Sequence, residues 1–159
     1  MTRKQTHACP IAAALNELGD RWSLLIIREA FYGATRFGEF QRNTGISRNL
    51  LSDRLNRLVE DRILQRVEFA DRGTNFAYGL TAKGRALETV MVAIQQWSDE
   101  HVLGAGAEPV QLIEGASGKP ISRLQVTASD GRPIAFQDIS FVPGPGADER
   151  TRQRLAAVD

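Results

Sequence analysis

The sequence predicts a mainly α-helical domain with one β-hairpin (an α+β fold), followed by a small β-rich extension. Three observations predict this fold. Apolar residues recur at helical spacing through most of the first hundred residues, strict alternation replaces that spacing between residues 64 and 80, and the composition changes near residue 103. Residues 1–103 contain seven glycines and one proline, whereas residues 104–159 contain seven glycines and five prolines. We therefore expect a regular part, 1–103, and a turn-rich extension, 104–159, with a frayed or short helical end.

The first two predicted helices have clear start and stop signals. Residues 11–18 form a short apolar run with Pro10 at its first turn and Gly19 after it. Asp20 then caps a second helix over residues 22–31, where apolar residues nearly surround the axis. Such a helix is expected to be central and buried.

A helical pair follows. A short helix is predicted over residues 37–43, then a turn at residues 44–47 with Ser47 as the N-cap of a helix over residues 48–61. Leucines at positions 51, 55 and 58 give this last helix an apolar stripe. The opposite face is polar and carries Arg48, Asn49, Ser52, Asp53, Asn56 and Arg57.

The period of the pattern then changes. Residues 64–69 and 75–80 alternate around a turn at residues 71–74, which predicts an antiparallel hairpin with Arg72 at its tip. Thr81 can cap a long helix over residues 82–102. That helix carries a stripe of large apolar side chains, namely Leu87, Val90, Met91, Ile94 and Trp97.

Two helices joined by a tight glycine turn and followed by a basic-tipped hairpin indicate a winged helix-turn-helix. An α-helix of about 10–12 Å diameter fits the major groove of DNA, where arginine can donate to guanine and asparagine can pair with adenine. The leucine stripe would anchor the fourth helix while its polar face meets the duplex. The predicted DNA-binding residues are Arg36, Ser47, Arg48, Asn49, Ser52, Asp53, Asn56, Arg57 and Arg72.

These candidates differ in expected role. Arg36 and the helix N-terminus at Ser47 are expected to meet phosphates, and Arg72 the minor groove or backbone. Arg57 lies further along the helix, so it is expected to contact the DNA backbone and not base edges. Asp53 can accept from cytosine N4 or orient Arg57. Arg54 either pairs with an acid at positions 60–61 or packs by its stem.

Composition excludes several other classes of protein. The net charge is only +1, yet seven arginines face four acids between residues 36 and 66. No apolar stretch is long enough for a membrane span, and the polar N-terminus disfavours a secretory signal. One cysteine and two histidines supply neither an intrachain disulfide nor a plausible metal site, and no catalytic set or phosphate loop is visible. We expect a cytoplasmic protein that is not an enzyme and has no cofactor and no membrane contact.

The sequence resembles the HxlR-type transcriptional regulators, a branch near the MarR-type winged-helix proteins. The resemblance covers residues 8 to about 100. It rests on Cys9-Pro10-Ile11, residues 18–29 (LGDRWSLLIIRE), 36–41 (RFGEFQ), 45–55 (GISRNLLSDRL) and 78–84 (YGLTAKG). It implies a homodimeric DNA-binding transcription factor whose first and last helices build the dimer interface.

The residues themselves also favour a dimer, because a domain of about 100 residues has little core in which to hide the last helix's stripe. The extension covering that stripe instead is the alternative. A two-fold pair would place two reading helices about one DNA turn apart on a near-palindromic operator. The predicted interface residues are Leu15, Val90, Met91, Ile94 and Trp97.

Cys9 has two interpretations. In some members of the resembling family, a cysteine at this Cys-Pro position senses oxidants or electrophiles. A sensing thiol reacts as thiolate, which the start of the following helix would stabilise. Alternatively, Cys9 is a small buried apolar residue at the dimer seam.

The extension alternates at residues 124–128, 134–136 and 139–142, with a turn at 129–132, which predicts a small β-ribbon. It resembles the C-terminal extension of some HxlR-type regulators. Such tails can carry cysteine pairs like a zinc ribbon, but residues 112–119 contain no cysteine, so metal binding is not implied. A strand-exchanging dimer brace and a ligand lid both remain open.

The sequence thus predicts a homodimeric transcriptional regulator, a repressor, that responds to a small effector or to chemistry at Cys9. A winged-helix protein-interaction module without DNA binding is the alternative. The dependence of affinity on salt separates the two, because phosphate contacts release counterions.

Overall fold

The computed structural model describes residues 9–68, 76–104 and 106–156. The chain divides into two compact units, Met1–Glu88 and Thr89–Asp159. The regular elements are α1 (Pro10–Leu18), α2 (Arg21–Phe31), α3 (Phe37–Thr44), α4 (Arg48–Glu60), β1 (Leu64–Glu68), β2 (Phe76–Leu80), α5 (Ala82–Arg85), α6 (Glu88–Ser98) and α7 (Glu149–Ala156). The chain is mostly helical with one antiparallel hairpin, as the sequence predicts.

The predicted helix caps are confirmed. One carboxylate oxygen of Asp20 accepts hydrogen bonds from the backbone N–H groups of Trp22 (2.8 Å) and Ser23 (3.2 Å). Gly19 is the C-cap of α1. The Thr81 hydroxyl accepts from the backbone N–H of Gly84 (3.0 Å) at the start of α5. These contacts satisfy N–H groups that a helix cannot pair internally.

The core of the first unit lies where α2, α3, α4 and β1 meet. Its fully buried side chains are Ile26, Ile27, Phe40, Ile46, Leu51, Leu55, Leu58, Ile63 and Leu64. The stripe predicted on α4 is therefore confirmed. Burying each Leu or Ile contributes about 1.5–3 kcal/mol, so the position of α4 is set mainly by its apolar face.

One carboxylate is buried beside this core. Glu29 on α2 is only 5% exposed. It accepts from the Asn43 amide (2.8 Å) on α3 and from the guanidinium of Arg28 (2.6 and 3.0 Å). These partners satisfy the buried charge and fix the position of α3 relative to α2.

The hairpin pairs β1 with β2 in a regular antiparallel register, with Arg66 opposite Tyr78. The Tyr78 N–H donates to the carbonyl of Thr35 (2.8 Å), which joins β2 to the α2–α3 connection. Residues 69–75, and with them the predicted hairpin tip at Arg72, lie outside the described residues.

The long helix predicted over residues 82–102 is divided in the structure, which corrects that expectation. After α5 the Leu87 N–H donates to the Gly84 carbonyl three residues back, so the α-helical ladder tightens and breaks before α6. After α6, residues Asp99–Leu103 form a π-helical turn, which closes with a bond from Gly104 N–H to the Asp99 carbonyl.

In the described part of the extension, antiparallel pairing is limited to two isolated bridges, Ile113↔Pro120 and Thr127↔Pro133, where alternation had predicted continuous strands. Each bridge contains a proline, which has no N–H to continue a ladder. Residues Phe136–Asp138 form a 3₁₀ turn instead of a strand. The predicted turn at residues 129–132 is confirmed, with the Ala128 N–H bonded to the Arg132 carbonyl (2.8 Å).

Candidate nucleic-acid interface

The α3–α4 turn places the start of α4 at the surface. Gly45 is the C-cap of α3 with φ +70°, a left-handed conformation that favours glycine. Ile46 is buried, and the extended Ser47 is the N-cap of α4. Within the described stretch 9–68, the Ser47 hydroxyl makes no capping hydrogen bond. The first N–H groups of α4 therefore begin at an exposed serine, an arrangement suited to a phosphate oxygen.

The two faces of α4 differ sharply. Its leucines at positions 51, 55 and 58 are inaccessible to solvent. The opposite face is exposed and contains six of the residues singled out from the sequence, namely Ser47, Arg48, Asn49, Ser52, Asp53 and Asn56. The structure thus brings hydroxyl, amide, guanidinium and carboxylate groups together on one accessible surface, which we call the α4 polar face.

Arg48 is held at the start of the α4 polar face by an aromatic ring. Its guanidinium lies over the ring of Phe37 on α3, 5.4 Å from the centroid. A cation over an aromatic face gains about 0.5–1 kcal/mol at an exposed site. The two helices therefore cooperate in orienting this side chain.

Arg54 joins α4 to the beginning of α2. Its Nε lies 2.7 Å from an Asp20 carboxylate oxygen, and its Nη1 lies 2.6 Å from Asp53. The partner is therefore the N-cap of α2 and a neighbour on α4, not the acids at positions 60–61 that the sequence suggested. Asp53 on the α4 polar face carries a partly neutralised charge.

Arg57 contacts the domain itself. Its guanidinium donates to the backbone carbonyl of Asn16 on α1 (2.9 Å) and lies 3.8 Å from the Asp61 carboxylate. The side chain is one-third exposed. This geometry holds α1 against α4 and leaves less of the guanidinium for a duplex.

The first strand of the hairpin reaches back to α4. The Arg66 guanidinium donates to the Asn56 side-chain oxygen (2.6 Å) and lies over the Phe76 ring, 4.8 Å from its centroid. Burial raises the pKa of Tyr78, which stands opposite Arg66, and the guanidinium partly opposes that effect. Sequence reasoning did not select Arg66 as a site residue, although its place in the alternating strand was visible.

The family model for the HxlR-like helix-turn-helix matches residues 17–104. The chain belongs to the HxlR family. The matched segment contains the whole of α2 to α6 and therefore the α4 polar face, while most of α1 lies before it. The HxlR family consists of transcriptional regulators, and this chain is one of them.

Several relatives support the assignment to the HxlR family. The HTH-type transcriptional regulator Rv3095 of Mycobacterium tuberculosis is 37% identical over 136 residues, 86% of each chain. The crystal structure of the candidate transcription factor PA1607 is similar with a TM-score of 0.82 and 44% identity, and it covers 91% of this chain and 100% of its own. The reduced form of the transcriptional regulator YodB of Bacillus subtilis has a TM-score of 0.52 at 34% identity, over 59% of this chain and 94% of its own.

Arg36 lies at the N-cap of α3 in this HxlR-family chain. Its backbone N–H and that of Thr35 donate to the Glu39 carboxylate (2.9 and 2.8 Å). These hydrogen bonds hold the pKa of Glu39 below its usual value. The Arg36 side chain is exposed, as a phosphate contact requires. Arg72, predicted at the minor groove or the DNA backbone, lies outside the described residues.

Cys9 is the N-cap of α1, in extended backbone and half-buried. The sequence places it there through Pro10, which begins the helix. Its carbonyl accepts from Ala13 N–H (2.9 Å), the first intrahelical bond. The thiol therefore lies beside the positive end of a short helix, as the sequence predicted.

The predicted dimer residues are solvent-accessible within the single chain. Leu15 on α1 is 58% exposed. Val90, Ile94 and Trp97 on α6 are also exposed, and Met91 is half-buried.

Neither a metal centre nor a membrane span is found in the described part of the chain. No group of three or more His, Cys, Asp or Glu side chains there is placed to hold a metal ion. No helix there combines the length and the apolar character that crossing a bilayer takes.

Proposed function

We propose that this HxlR-family chain acts as a homodimeric repressor that binds a near-palindromic DNA operator through the α4 polar face. One observation carries the proposal. A helix fixed from below by buried leucines presents an exposed row of hydrogen-bonding side chains, and it begins at an exposed serine whose hydroxyl makes no capping bond to the described residues. A solvated surface helix needs no such set of asparagine, arginine and serine, whereas base edges are recognised by these groups.

The proposed roles follow from position. Arg48 and Asn49, at the start of α4, read base edges, while Ser52, Asp53 and Asn56 continue the readout or position their neighbours. Arg36 and the N-terminus of α4 at Ser47 contact phosphates, and Arg72 contacts the minor groove or the DNA backbone. Arg57 contacts the DNA backbone only with the part of its guanidinium that Asn16 and Asp61 leave accessible.

The proposed dimer uses the exposed apolar residues of α1 and α6, namely Leu15, Val90, Met91, Ile94 and Trp97. Residues 1–103 supply DNA binding and dimerisation, and residues 104–159 form the extension. Two-fold symmetry makes the operator near-palindromic, because each copy presents the same helix to one half-site.

The test is selection of bound DNA from a random library, followed by fluorescence-anisotropy titrations of the selected site at several salt concentrations. We expect log affinity to fall steeply with log salt, since phosphate contacts release counterions. Arg48→Ala and Asn49→Ala should each weaken the selected site by about 1–3 kcal/mol without loss of folding. Arg85→Ala removes the same charge as Arg48→Ala from an exposed position on α5, outside the α4 polar face, and is the matched control.

A salt slope near zero would favour a protein-interaction module instead. Unchanged affinity in both α4 variants would remove the reading role from the α4 polar face.

We also propose that the repressor releases DNA in response to a small effector or to oxidant or electrophile chemistry at Cys9. The half-buried thiol at a helix N-terminus supports the second route, and the similar protein HypR is described as a redox regulator (27% identical, TM-score 0.53). Cys9 is the chain's one cysteine, so any thiol-based response depends on it. Cys9→Ser should abolish oxidant-induced release in the anisotropy assay while operator affinity under reducing conditions stays unchanged. A persistent response in that variant would exclude Cys9 from the mechanism.

A further inference from the structure

The described residues of the second unit include no fully buried side chain within one chain. Among its described residues, 89–104 and 106–156, every side chain is at least partly accessible to solvent. The first unit differs, since nine of its large side chains are almost completely buried. A segment with defined helices, turns and bridges but no buried side chain lacks the main free-energy term that holds a fold together.

Large apolar side chains are exposed along this unit. Phe136 and Val142 are 75% exposed and Phe141 is 63% exposed, with the two phenylalanine rings 6.1 Å apart between centroids. The other exposed members are Val90, Ile94, Trp97, Val102, Leu103, Val110, Ile113, Ile121, Leu124 and Val126. Scattered single apolar residues are ordinary on a surface, but a whole unit of them is typical of an interaction surface.

The hydrogen bonds and the ion pair that join the extension to α6 and to the turn after it are exposed. Gln96 donates to the Ser122 carbonyl (3.1 Å) and accepts from the Leu124 N–H (2.8 Å). Gln95 donates to the Val110 carbonyl (3.0 Å), and an ion pair joins Glu100 to an arginine at position 123. Water competes for all these groups, so the hydrogen bonds and the ion pair add little net stability. They do not offset the conformational entropy that a turn-rich segment loses when it is ordered.

We propose that residues 106–156 form half of a core that is completed by the same unit of a second copy of this chain. The proposal rests on the homodimer proposed above and extends it, because α1 and α6 alone do not account for the exposed side chains of the extension. The apolar surface available is on the order of 1,000 Å² per copy, and a stable interface takes about 800 Å² per partner.

A second copy fits this surface better than an occasional partner. A unit that lacks a core needs its partner whenever it is folded, and an obligate homodimer interface resembles a domain core cut in half. The exposed side chains of α6 lie in the same unit as those of the extension, so one continuous interface would bury both. The similarity to PA1607 over 91% of this chain takes in most of the extension as well.

The test measures self-association of the full-length chain by sedimentation equilibrium. Val142→Asp places a carboxylate in the proposed core twice, once from each copy, and should weaken the dimer by about 100-fold or more. Val67→Asp is the matched control, since Val67 is also an exposed valine but lies on β1, outside the second unit. The control should sediment as wild type does. Equal dimerisation by wild type and Val142→Asp would overturn the inference.

Amide hydrogen exchange of the wild-type chain gives a second readout that does not depend on any variant folding. Protection of residues 106–156 should fall on dilution in step with dimer dissociation. Protection that is independent of concentration through that range would show that the extension is stable alone and would overturn the inference.

The two proposals can fail separately. If the chain dimerises and binds its operator while the extension responds to neither Val142→Asp nor dilution, only the inference fails. If the wild-type chain is a monomer throughout the micromolar range, the homodimer of the proposed function fails with it.

Discussion

The junction of Asp20 with Arg54 offers a quantitative test of how α4 is held in place. Asp20 has two tasks in the structure. It caps α2 through the N–H groups of Trp22 and Ser23, and it lies 2.7 Å from Arg54 Nε on α4. The Asp20→Ala variant removes both tasks, whereas Asp20→Ser keeps a capping hydroxyl and removes only the ion pair.

The expected magnitudes follow from geometry and exposure. Losing an N-cap costs about 0.5–2 kcal/mol. The Asp20–Arg54 pair is about a quarter exposed on each side, so we assign it about 0.5–1 kcal/mol after screening. Arg54 keeps Asp53 as a partner in the variant, so its charge is not left unpaired. Asp20→Ala should therefore lower the free energy of unfolding by about 1–3 kcal/mol, and Asp20→Ser by about 0.5–1 kcal/mol.

The assay is urea unfolding followed by circular dichroism at one fixed protein concentration, because association contributes to apparent stability. Asp53→Ala is the control. It removes the other partner of Arg54, but its carboxylate is 69% exposed, so the loss should be under about 0.5 kcal/mol. Equal losses in Asp20→Ala and Asp20→Ser would refute the capping role, and a smaller loss in Asp20→Ala than in Asp53→Ala would refute the whole argument.

Three further predictions concern the same domain. Gly84→Ala should destabilise by about 1–3 kcal/mol in thermal unfolding, because its Cβ would come within 2.2 Å of the Ile63 carbonyl oxygen. Gly38→Ala, whose Cβ would meet no described atom within 4 Å, should stabilise by about 0.5–1 kcal/mol, and equal effects would count against the packing argument. The lowered pKa of Glu39 means that its carboxylate binds a proton more weakly in the folded state than in the unfolded state. The ionised carboxylate therefore stabilises the fold above about pH 4.5, and this contribution is lost as pH falls through the folded pKa. In acid titrations of the free energy of unfolding, Glu39→Gln should remove that part of the pH dependence, and an unchanged profile would contradict the role of Glu39. A double-mutant cycle on Asn56 and Arg66 should give a coupling free energy of about 0.5–1 kcal/mol in urea unfolding. Additive losses would show that these two side chains do not stabilise each other.

Much of the first unit could be predicted from local signals. Asp20 before an apolar run, Thr81 before Ala82, and leucines at i, i+4 and i+7 each depend on neighbours within one or two helical turns. Such short-range rules transfer directly to structure, so the ends of α2, α3 and α4 are within about two residues of the predicted positions.

The contacts that the sequence did not predict join positions far apart in the chain. Arg57 meets a carbonyl on α1, Arg54 meets the cap of α2, and Arg66 on β1 meets Asn56 on α4. A long flexible arginine can reach several acceptors, and only the packed arrangement of the helices decides which one it finds. Arg54 illustrates this limit, because it contacts Asp20 at the N-cap of α2 and not the acids at positions 60–61 at the end of its own helix.

The extension shows a different limit. Its alternating residues satisfy the pattern for strands, but Pro120 and Pro133 occupy the bridging positions, and no longer ladder forms within residues 106–156. Alternation describes which side of the backbone a residue lies on, and continuous pairing also needs free N–H donors on a neighbouring segment.

The placement of Arg48 over Phe37 has a consequence for kinetics. A side chain that already stands on a ring has fewer rotamers to surrender when it meets a guanine, so less of the contact energy is offset by lost motion. The Phe37→Leu variant would keep the charge of Arg48 and a half-buried apolar side chain on α3, while it frees the guanidinium. In the proposed complex that change should shorten residence time on the operator more than it slows arrival, because long-range attraction to phosphates is unaffected.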